Sequence, residues 1–152
     1  MFARALFAFI AMPGLVAYVV PPLLAGETVG APLPRGLGVV SFALGTALLL
    51  WCVWIFYREG KGTLAPWDPP KRLVTSGPYR WSRNPMYVAV VLVLGGWALA
   101  YGTTTLLTYA VAVMLAFHLR IVFGEEPWLA RTHGAAWARY AARVPRWIGF
   151  RT

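Results

Sequence analysis

The chain has 152 residues, of which 59% are hydrophobic and only 12% are charged, and its formal net charge is +9. An average soluble domain has roughly 25% charged residues. This chain therefore lacks the charged side chains that would cover a soluble globule, and we expect much of its apolar surface to face lipid. The length fits a single domain over residues 1–152. The basic residues lie between and after apolar blocks, which favours an anionic lipid surface over nucleic acid as their partner.

Four apolar blocks are long enough to cross a bilayer, whose core of roughly 30 Å takes about 20 helical residues. They cover residues 5–24, 37–57, 85–101 and 104–123. The first block contains Pro13, Pro21 and Pro22, which predict a kinked helix. A signal peptide with Arg4 as its basic residue is the alternative interpretation of this block. A short turn at Gly102 separates the last two blocks, so the pattern predicts an all-α integral membrane protein with about four transmembrane helices.

Basic residues are concentrated in two segments. Residues 58–83 contain six Lys or Arg residues and the tail after residue 123 contains five, whereas the 25–36 loop contains one and the 102–104 turn contains none. An excess of Lys and Arg marks the cytoplasmic side of a membrane. We therefore expect both termini of the chain to be cytoplasmic.

The sequence RNPMY (83–87) lies at the start of the third block. Pro85 suits the first position of a helix, because its missing N–H would have no partner there. Asn84 suits the N-cap position, where its side-chain oxygen can accept from a backbone N–H. One interpretation is an ordinary capped helix with interfacial Tyr79 and Tyr87. A binding role for the same residues is the alternative.

Glu125 and Glu126 are two of only five acidic residues, and they directly follow the fourth block. They can be first-turn acids of a helix that begins at Pro127, or functional carboxylates at the membrane boundary. Arg120 lies about one turn inside that boundary. It can snorkel to the surface, pair with Glu125 or Glu126, or bind an anionic substrate.

Residues 127–144 have the periodicity of an amphipathic helix. One stripe, at about 100° per residue, contains Leu129, His133, Ala136, Trp137, Tyr140 and Val144. This C-terminal cytoplasmic helix is either an interfacial helix or a lid over the ends of the membrane helices. His118 is predicted to be packed or hydrogen-bonded, and the spacing of the two histidines and five acids predicts no metal site.

Four stretches, taken together, resemble the isoprenylcysteine carboxyl methyltransferase family and the wider phospholipid methyltransferase group. They are GTLAPWDPP (62–70), KRLVTSGPYRWSRNPMY (71–87), EEPWL (125–129) and HGAAWARYAARVPRW (133–147). The resemblance covers about residues 37–148 and depends on the ordered set rather than on any one motif. It implies a bacterial-type enzyme of the inner membrane. Such an enzyme would transfer methyl groups from S-adenosylmethionine to a carboxylate, amine or thiol of a lipidic or membrane-partitioned acceptor.

The resemblance also implies the site residues. It places the cofactor against Lys71, Arg72, Leu73, Val74, Tyr79, Asn84, Pro85, Met86, Tyr87, Glu125 and Glu126. Arg120 and Glu125 are the catalytic candidates. Two positions depart from the family pattern. Asn84 replaces a histidine, which removes a titratable imidazole, and the substrate-side arginine of eukaryotic members falls at Ile121, one position from Arg120.

Two functions of other classes have to be weighed against this one. In a non-catalytic membrane scaffold, Glu125 and the arginines would only form ion pairs. A transporter or channel would need polar residues along its spans, and apart from His118, Arg120 and scattered threonines the four blocks are apolar.

Overall fold

The computed structural model describes residues 10–26, 35–60 and 72–149, and within these ranges all regular structure is helical. Helix α1 is π-helical over Ile10–Val19 and α-helical over Val20–Ala25. Helix α2 covers Arg35–Ile55 and continues as a π-helical turn over Phe56–Gly60.

The second half of the chain begins with a 3-10 turn over Gly77–Arg80, followed by helix α3 over Pro85–Tyr101. Gly102, with a left-handed φ of 64°, ends α3 in the turn that the sequence predicts. Helix α4 covers Thr104–Arg120, continues as a π-helical turn over Ile121–Glu125, and leads into helix α5 over Glu126–Arg143.

Two helical stretches, Gly36–Glu59 and Thr104–Arg143, are long and apolar enough to cross a membrane. Only 17% and 11% of their most apolar windows are buried inside the protein, so these windows face outward. The other apolar helices, Pro13–Ala25 and Pro85–Tyr101, are shorter. At about 1.5 Å per residue, α3 extends roughly 26 Å, less than a hydrocarbon core of ~30 Å. The all-helical prediction is confirmed for the described residues, whereas four complete spans are not, and residues 5–9 of the first predicted span lie outside those residues.

Two prolines in α1 remove hydrogen-bond donors that the preceding turn needs. Four and five residues after Ala17 the chain has Pro21 and Pro22, and neither has an N–H to donate to the Ala17 carbonyl. Trp97 of α3 supplies the missing donor, with its Nε1 2.9 Å from the Ala17 oxygen. Because an unpaired carbonyl in apolar surroundings costs on the order of several kcal/mol, this bond ties α1 to α3.

Helices α2 and α3 form the most extensive contact between any two elements. Their backbones touch at glycines: a Cβ added at Gly45 would lie 2.7 Å from the nitrogen of Val93, and one added at Gly96 would lie 2.7 Å from that of Phe42. Small residues permit such close approach between membrane helices. The pairing runs antiparallel and places the end of α2 beside the segment that precedes α3. The main core next to this contact consists of Ala17, Leu49, Ala89, Val90, Val93, Leu94 and Ala110.

The segment before α3 is fixed against the end of α2. Cys52, Val74 and Tyr79 form a buried cluster there. Ser76 Oγ donates a hydrogen bond to Glu59 Oε2 at 2.6 Å. The segment therefore has a defined position even though its regular structure is a single 3-10 turn.

Pro127 lies in the first turn of α5, as the sequence predicts, but α5 is not separate, because it continues from α4 in one helical run. The π-helical turn over Ile121–Glu125 already departs from α-helical hydrogen bonding and accommodates the proline. The run is interrupted at Gly134, whose φ of 48° and ψ of −122° are open to glycine because it has no Cβ. The interruption also alters the predicted stripe: Trp137 and Tyr140 are buried, whereas Ala136 is exposed.

We expect Gly96→Ala to lower the stability of the protein, because the added methyl group would meet the backbone of α2. Overpacking of this kind costs about 1–3 kcal/mol. Thermal unfolding of the detergent-solubilised protein, followed by circular dichroism, measures the effect. Gly36→Ala is the matched control, since a Cβ there meets nothing within 4 Å. Equal melting temperatures for the two variants would contradict the close-packing account.

Candidate functional site

A cavity of about 810 Å³ lies where the segment before α3, the end of α4 and the start of α5 meet. Small-molecule sites commonly measure roughly 300–1,000 Å³. Pro85 and Glu126 are not among the residues of its wall, and Lys71 lies outside the described residues. The predicted site residues that do form the wall are Arg72, Leu73, Val74, Tyr79, Asn84, Met86, Tyr87, Arg120 and Glu125.

Glu125 is the centre of a polar contact in this wall. Its carboxylate accepts one hydrogen bond from the Tyr87 hydroxyl and one from Arg120 Nε, the latter at 2.9 Å. Arg120 Nε also donates to the Tyr87 oxygen at 3.2 Å. Of the alternatives for Arg120, the structure therefore contains the pairing with Glu125. The two side chains are 42% and 32% exposed, so the pair is accessible from the cavity.

Asn84 does not cap α3, which corrects the prediction from its local sequence. Its Nδ2 donates instead to the main-chain carbonyl of Arg146 at 3.0 Å, and no side-chain capping bond forms. Pro85 does occupy the first turn of α3 and is buried. The first-turn N–H groups of Met86 and Tyr87, two residues of the cavity wall, therefore have no side-chain cap.

Glu126 is bonded to two arginines. Its Oε1 lies 3.0 Å from Nη1 of Arg83 and 2.9 Å from Nε of Arg146, and its Oε2 lies 2.8 Å from Nη2 of Arg146. Hydrogen bonding to Glu126 raises the pKa of Arg146 above its ordinary value. The carboxylate of Glu126 thus faces two protein cations and lies outside the cavity wall, and the cofactor contact predicted for it stays a prediction.

The C-terminal part of the chain covers the segment before α3. Tyr140 Oη donates to the Tyr79 carbonyl at 2.7 Å, and the Arg83 N–H donates to the Pro145 carbonyl at 2.9 Å. Trp137 packs beside Tyr140 with ring centroids 5.8 Å apart. Burial raises the pKa of Tyr79 well above its usual value. Helix α5 therefore packs on the segment before α3 through Tyr140, and the choice between a lid and an interfacial helix stays a prediction.

Several residues of the cavity wall were not predicted from the sequence. The guanidinium carbon of Arg83 lies 5.6 Å from the ring centroid of Trp137, and both side chains line the cavity. Phe56, Phe117 and Trp128 add further aromatic surface. Arg83 and Trp128 fall within the quoted motifs, which could have indicated them. Phe56 comes from the end of α2, where no local pattern marks it.

Part of the cavity is apolar and reaches the outer surface. Leu119 and Phe123 belong to its wall and are 55% and 76% exposed. The same wall contains the exposed arginines Arg72 and Arg131. A cavity with both kinds of wall suits an amphiphilic ligand or two ligands of different polarity. The other apolar residues of the wall include Pro13, Val16, Val90 and Phe117.

His118 is hydrogen-bonded, as predicted. Trp147 Nε1 donates to its Nδ1 at 3.4 Å, and the two rings stack with centroids 6.2 Å apart. His118 is not part of the cavity wall. Across residues 10–26, 35–60 and 72–149, no group of three or more His, Cys, Asp or Glu side chains is arranged to hold a metal ion.

We expect Tyr140→Phe to loosen the segment before α3, because the Tyr79 carbonyl would lose its 2.7 Å donor. A buried acceptor left unsatisfied costs about 1–3 kcal/mol. Hydrogen exchange measured by mass spectrometry should become faster in residues 76–84. Tyr57→Phe, at a tyrosine that is 47% exposed, is the control. The same exchange rate in both variants would count against this role of Tyr140.

Comparison with known proteins gives the family of the chain. A family model described as phospholipid methyltransferase matches residues 34–136. The cobalt-zinc-cadmium resistance protein CzcN of Cupriavidus metallidurans is 32% identical over 139 residues, which cover 86% of this chain and 58% of CzcN. The chain thus spans somewhat more than half the length of this relative. No solved structure matches.

The family model covers well over half of the chain, and its group agrees with the resemblance of the four sequence motifs. The family and the two long apolar helices together indicate a membrane protein. The chain belongs to the phospholipid methyltransferase family.

Proposed function

We propose that the protein transfers a methyl group from S-adenosylmethionine to a lipidic or membrane-partitioned acceptor. The observation that carries this proposal is the composition of one cavity wall. It combines the polar contact of Glu125, Tyr87 and Arg120 with an apolar surface that extends to exposed Leu119 and Phe123. A water-soluble methyl donor and an apolar acceptor need such a combined site. Membership of the family supports the same class of reaction.

The wall offers groups that match the charges of S-adenosylmethionine. Its ammonium group fits the Glu125 carboxylate through a charge-assisted hydrogen bond. Its carboxylate fits the uncapped N–H groups at the start of α3. Aromatic side chains can hold the sulfonium by cation–π attraction and stack on the adenine. The residues proposed to complete the donor site are Arg72, Leu73, Val74, Tyr79, Asn84, Met86, Tyr87, Phe117 and Trp137.

When bound, the donor supplies an activated methyl carbon that is transferred by in-line displacement. The residues of the chain then have to align the reactants and exclude water, with less need for acid–base chemistry. Tyr87 and Arg120 hold the Glu125 carboxylate in one position. Trp137 and Tyr140 cover the site from the side of α5.

Arg120 is the residue we propose for contact with the acceptor. Its hydrogen bonds to Glu125 and Tyr87 both use Nε. The two Nη groups are therefore the donors that would meet an anionic group of the acceptor, such as a carboxylate or phosphate. This assignment favours an anionic acceptor while leaving its apolar part to Leu119 and Phe123.

The proposed location is a bacterial inner membrane, with both termini and the donor side of the cavity in the cytoplasm. The excess of Lys and Arg in residues 58–83 and in the C-terminal tail supports this orientation. A cytoplasmic donor side would give S-adenosylmethionine direct access from water.

A non-catalytic role in a membrane assembly is the second candidate. The observation in its favour is that Glu125 and Glu126 are both paired with arginines, as a scaffold would require. The relative CzcN is named for resistance to cobalt, zinc and cadmium, and a protein of a resistance system can act without catalysis.

Isothermal titration of the detergent-solubilised protein with S-adenosylmethionine separates the two candidates. We expect the wild-type protein to bind, and Glu125→Gln to bind about tenfold more weakly or worse, since a hydrogen bond to a charged group contributes about 1.5–3 kcal/mol. Tyr87→Phe should also weaken binding. Glu59→Gln is the matched control, because Glu59 is not part of the cavity wall and a glutamine oxygen in its place can still accept from Ser76. A folded wild-type protein that does not bind would favour the scaffold.

The acceptor can be identified by incubating the protein with methyl-labelled S-adenosylmethionine and a total membrane extract. We expect label in the lipid fraction with the wild-type protein and little label with Glu125→Gln. Label confined to water-soluble products would contradict a lipidic acceptor while leaving methyl transfer intact.

A further inference from the structure

Two residues outside the cavity wall hold residues that form it. Arg146 donates two hydrogen bonds to Glu126, from Nε to Oε1 at 2.9 Å and from Nη2 to Oε2 at 2.8 Å. Glu126 in turn lies 3.0 Å from Nη1 of Arg83, a wall residue. The Glu126 side chain is 17% exposed and that of Arg83 is 10% exposed, so solvent screens this contact only weakly.

The main-chain carbonyl of Arg146 is hydrogen-bonded to a second residue of the cavity wall, Asn84. This carbonyl accepts from Asn84 Nδ2 at 3.0 Å and from Ser82 Oγ at 3.3 Å. A carbonyl oxygen can only accept, so the Asn84 amide must turn its NH2 group towards Arg146. The amide oxygen Oδ1 is then the atom of Asn84 left to accept from a ligand.

We propose that Arg146 is a positioning residue for the donor site: its guanidinium fixes Arg83 through Glu126, and its carbonyl fixes the amide of Asn84. The inference rests on the proposed function, and it deepens that function by placing a determinant of donor affinity outside the cavity. Glu126 directly follows Glu125, so the hydrogen bonds from Arg146 also hold the turn that carries Glu125, the carboxylate proposed to bind the donor.

Arg146→Gln and Arg146→Lys test this role. Both variants keep the main-chain carbonyl, glutamine loses the charge, and lysine keeps the charge without the two-pronged geometry of arginine. Groups that orient a ligating residue at metal sites typically change affinity by roughly 10–100-fold. We expect a similar scale here, with the dissociation constant for S-adenosylmethionine raised at least about tenfold in Arg146→Gln and by less in Arg146→Lys. Hydrogen exchange in residues 79–84 of the ligand-free protein should be faster in Arg146→Gln.

Gly96→Ala is the control for a general loss of stability, because it disturbs the contact of α2 and α3 away from the cavity wall. At a temperature below both melting transitions, it should bind S-adenosylmethionine as the wild-type protein does. Equal weakening in Gly96→Ala and Arg146→Gln would overturn the positioning role.

The wild-type protein separates this inference from the function on which it rests. If the wild-type protein binds and Arg146→Gln binds equally well, the positioning role is overturned and the proposed function stands. If the folded wild-type protein does not bind S-adenosylmethionine, that measurement by itself contradicts the proposed function. The positioning role is then contradicted as well, because it rests on that function.

Discussion

The ion pairs of the Glu126 carboxylate are the interaction on which the proposed arrangement of the donor site depends. The carboxylate is shared by Arg83 from the segment before α3 and by Arg146 from the C-terminal tail. The three side chains are only partly buried, so removing one partner should cost less than the ~3–5 kcal/mol that is typical of a fully buried ion pair. One carboxylate at the start of α5 therefore joins three parts of the chain, and one of its partners, Arg83, belongs to the cavity wall.

The two adjacent glutamates have different tasks because neighbouring positions on a helix differ by about 100°. Glu125 points to Tyr87 and Arg120 within the cavity wall. Glu126 lies outside that wall and pairs with Arg83, which belongs to the wall, and with Arg146, which does not. A pair of acids that look equivalent in the sequence is thus divided into one group that can meet a ligand and one that holds the structure around it.

Local patterns in the sequence predicted the helices and the turn at Gly102, because apolar blocks and turn residues act over short distances. The candidate site residues came from the family resemblance, and nine of them belong to the cavity wall. Long-range partners were not predictable. Asn84 has a strong local preference for the N-cap position, but a carbonyl 62 residues later takes its amide. One partner of Glu126, Arg146, lies 20 residues away, and the other, Arg83, belongs to a different segment of the chain. Pro127 indicates a helix start, but the π-helical turn before it joins α5 to α4. No residue pattern predicts such a turn.

The unbroken helical run from Thr104 to Gly134 links the bilayer to the geometry of the polar contact. Glu125 lies on this run, whereas Tyr87 lies on α3. Helices adjust their tilt to the thickness of the hydrocarbon layer. A thinner or thicker membrane that tilts the run relative to α3 therefore changes the distance between the Glu125 carboxylate and the Tyr87 hydroxyl. The geometry of this contact then depends on the chain length of the surrounding lipids.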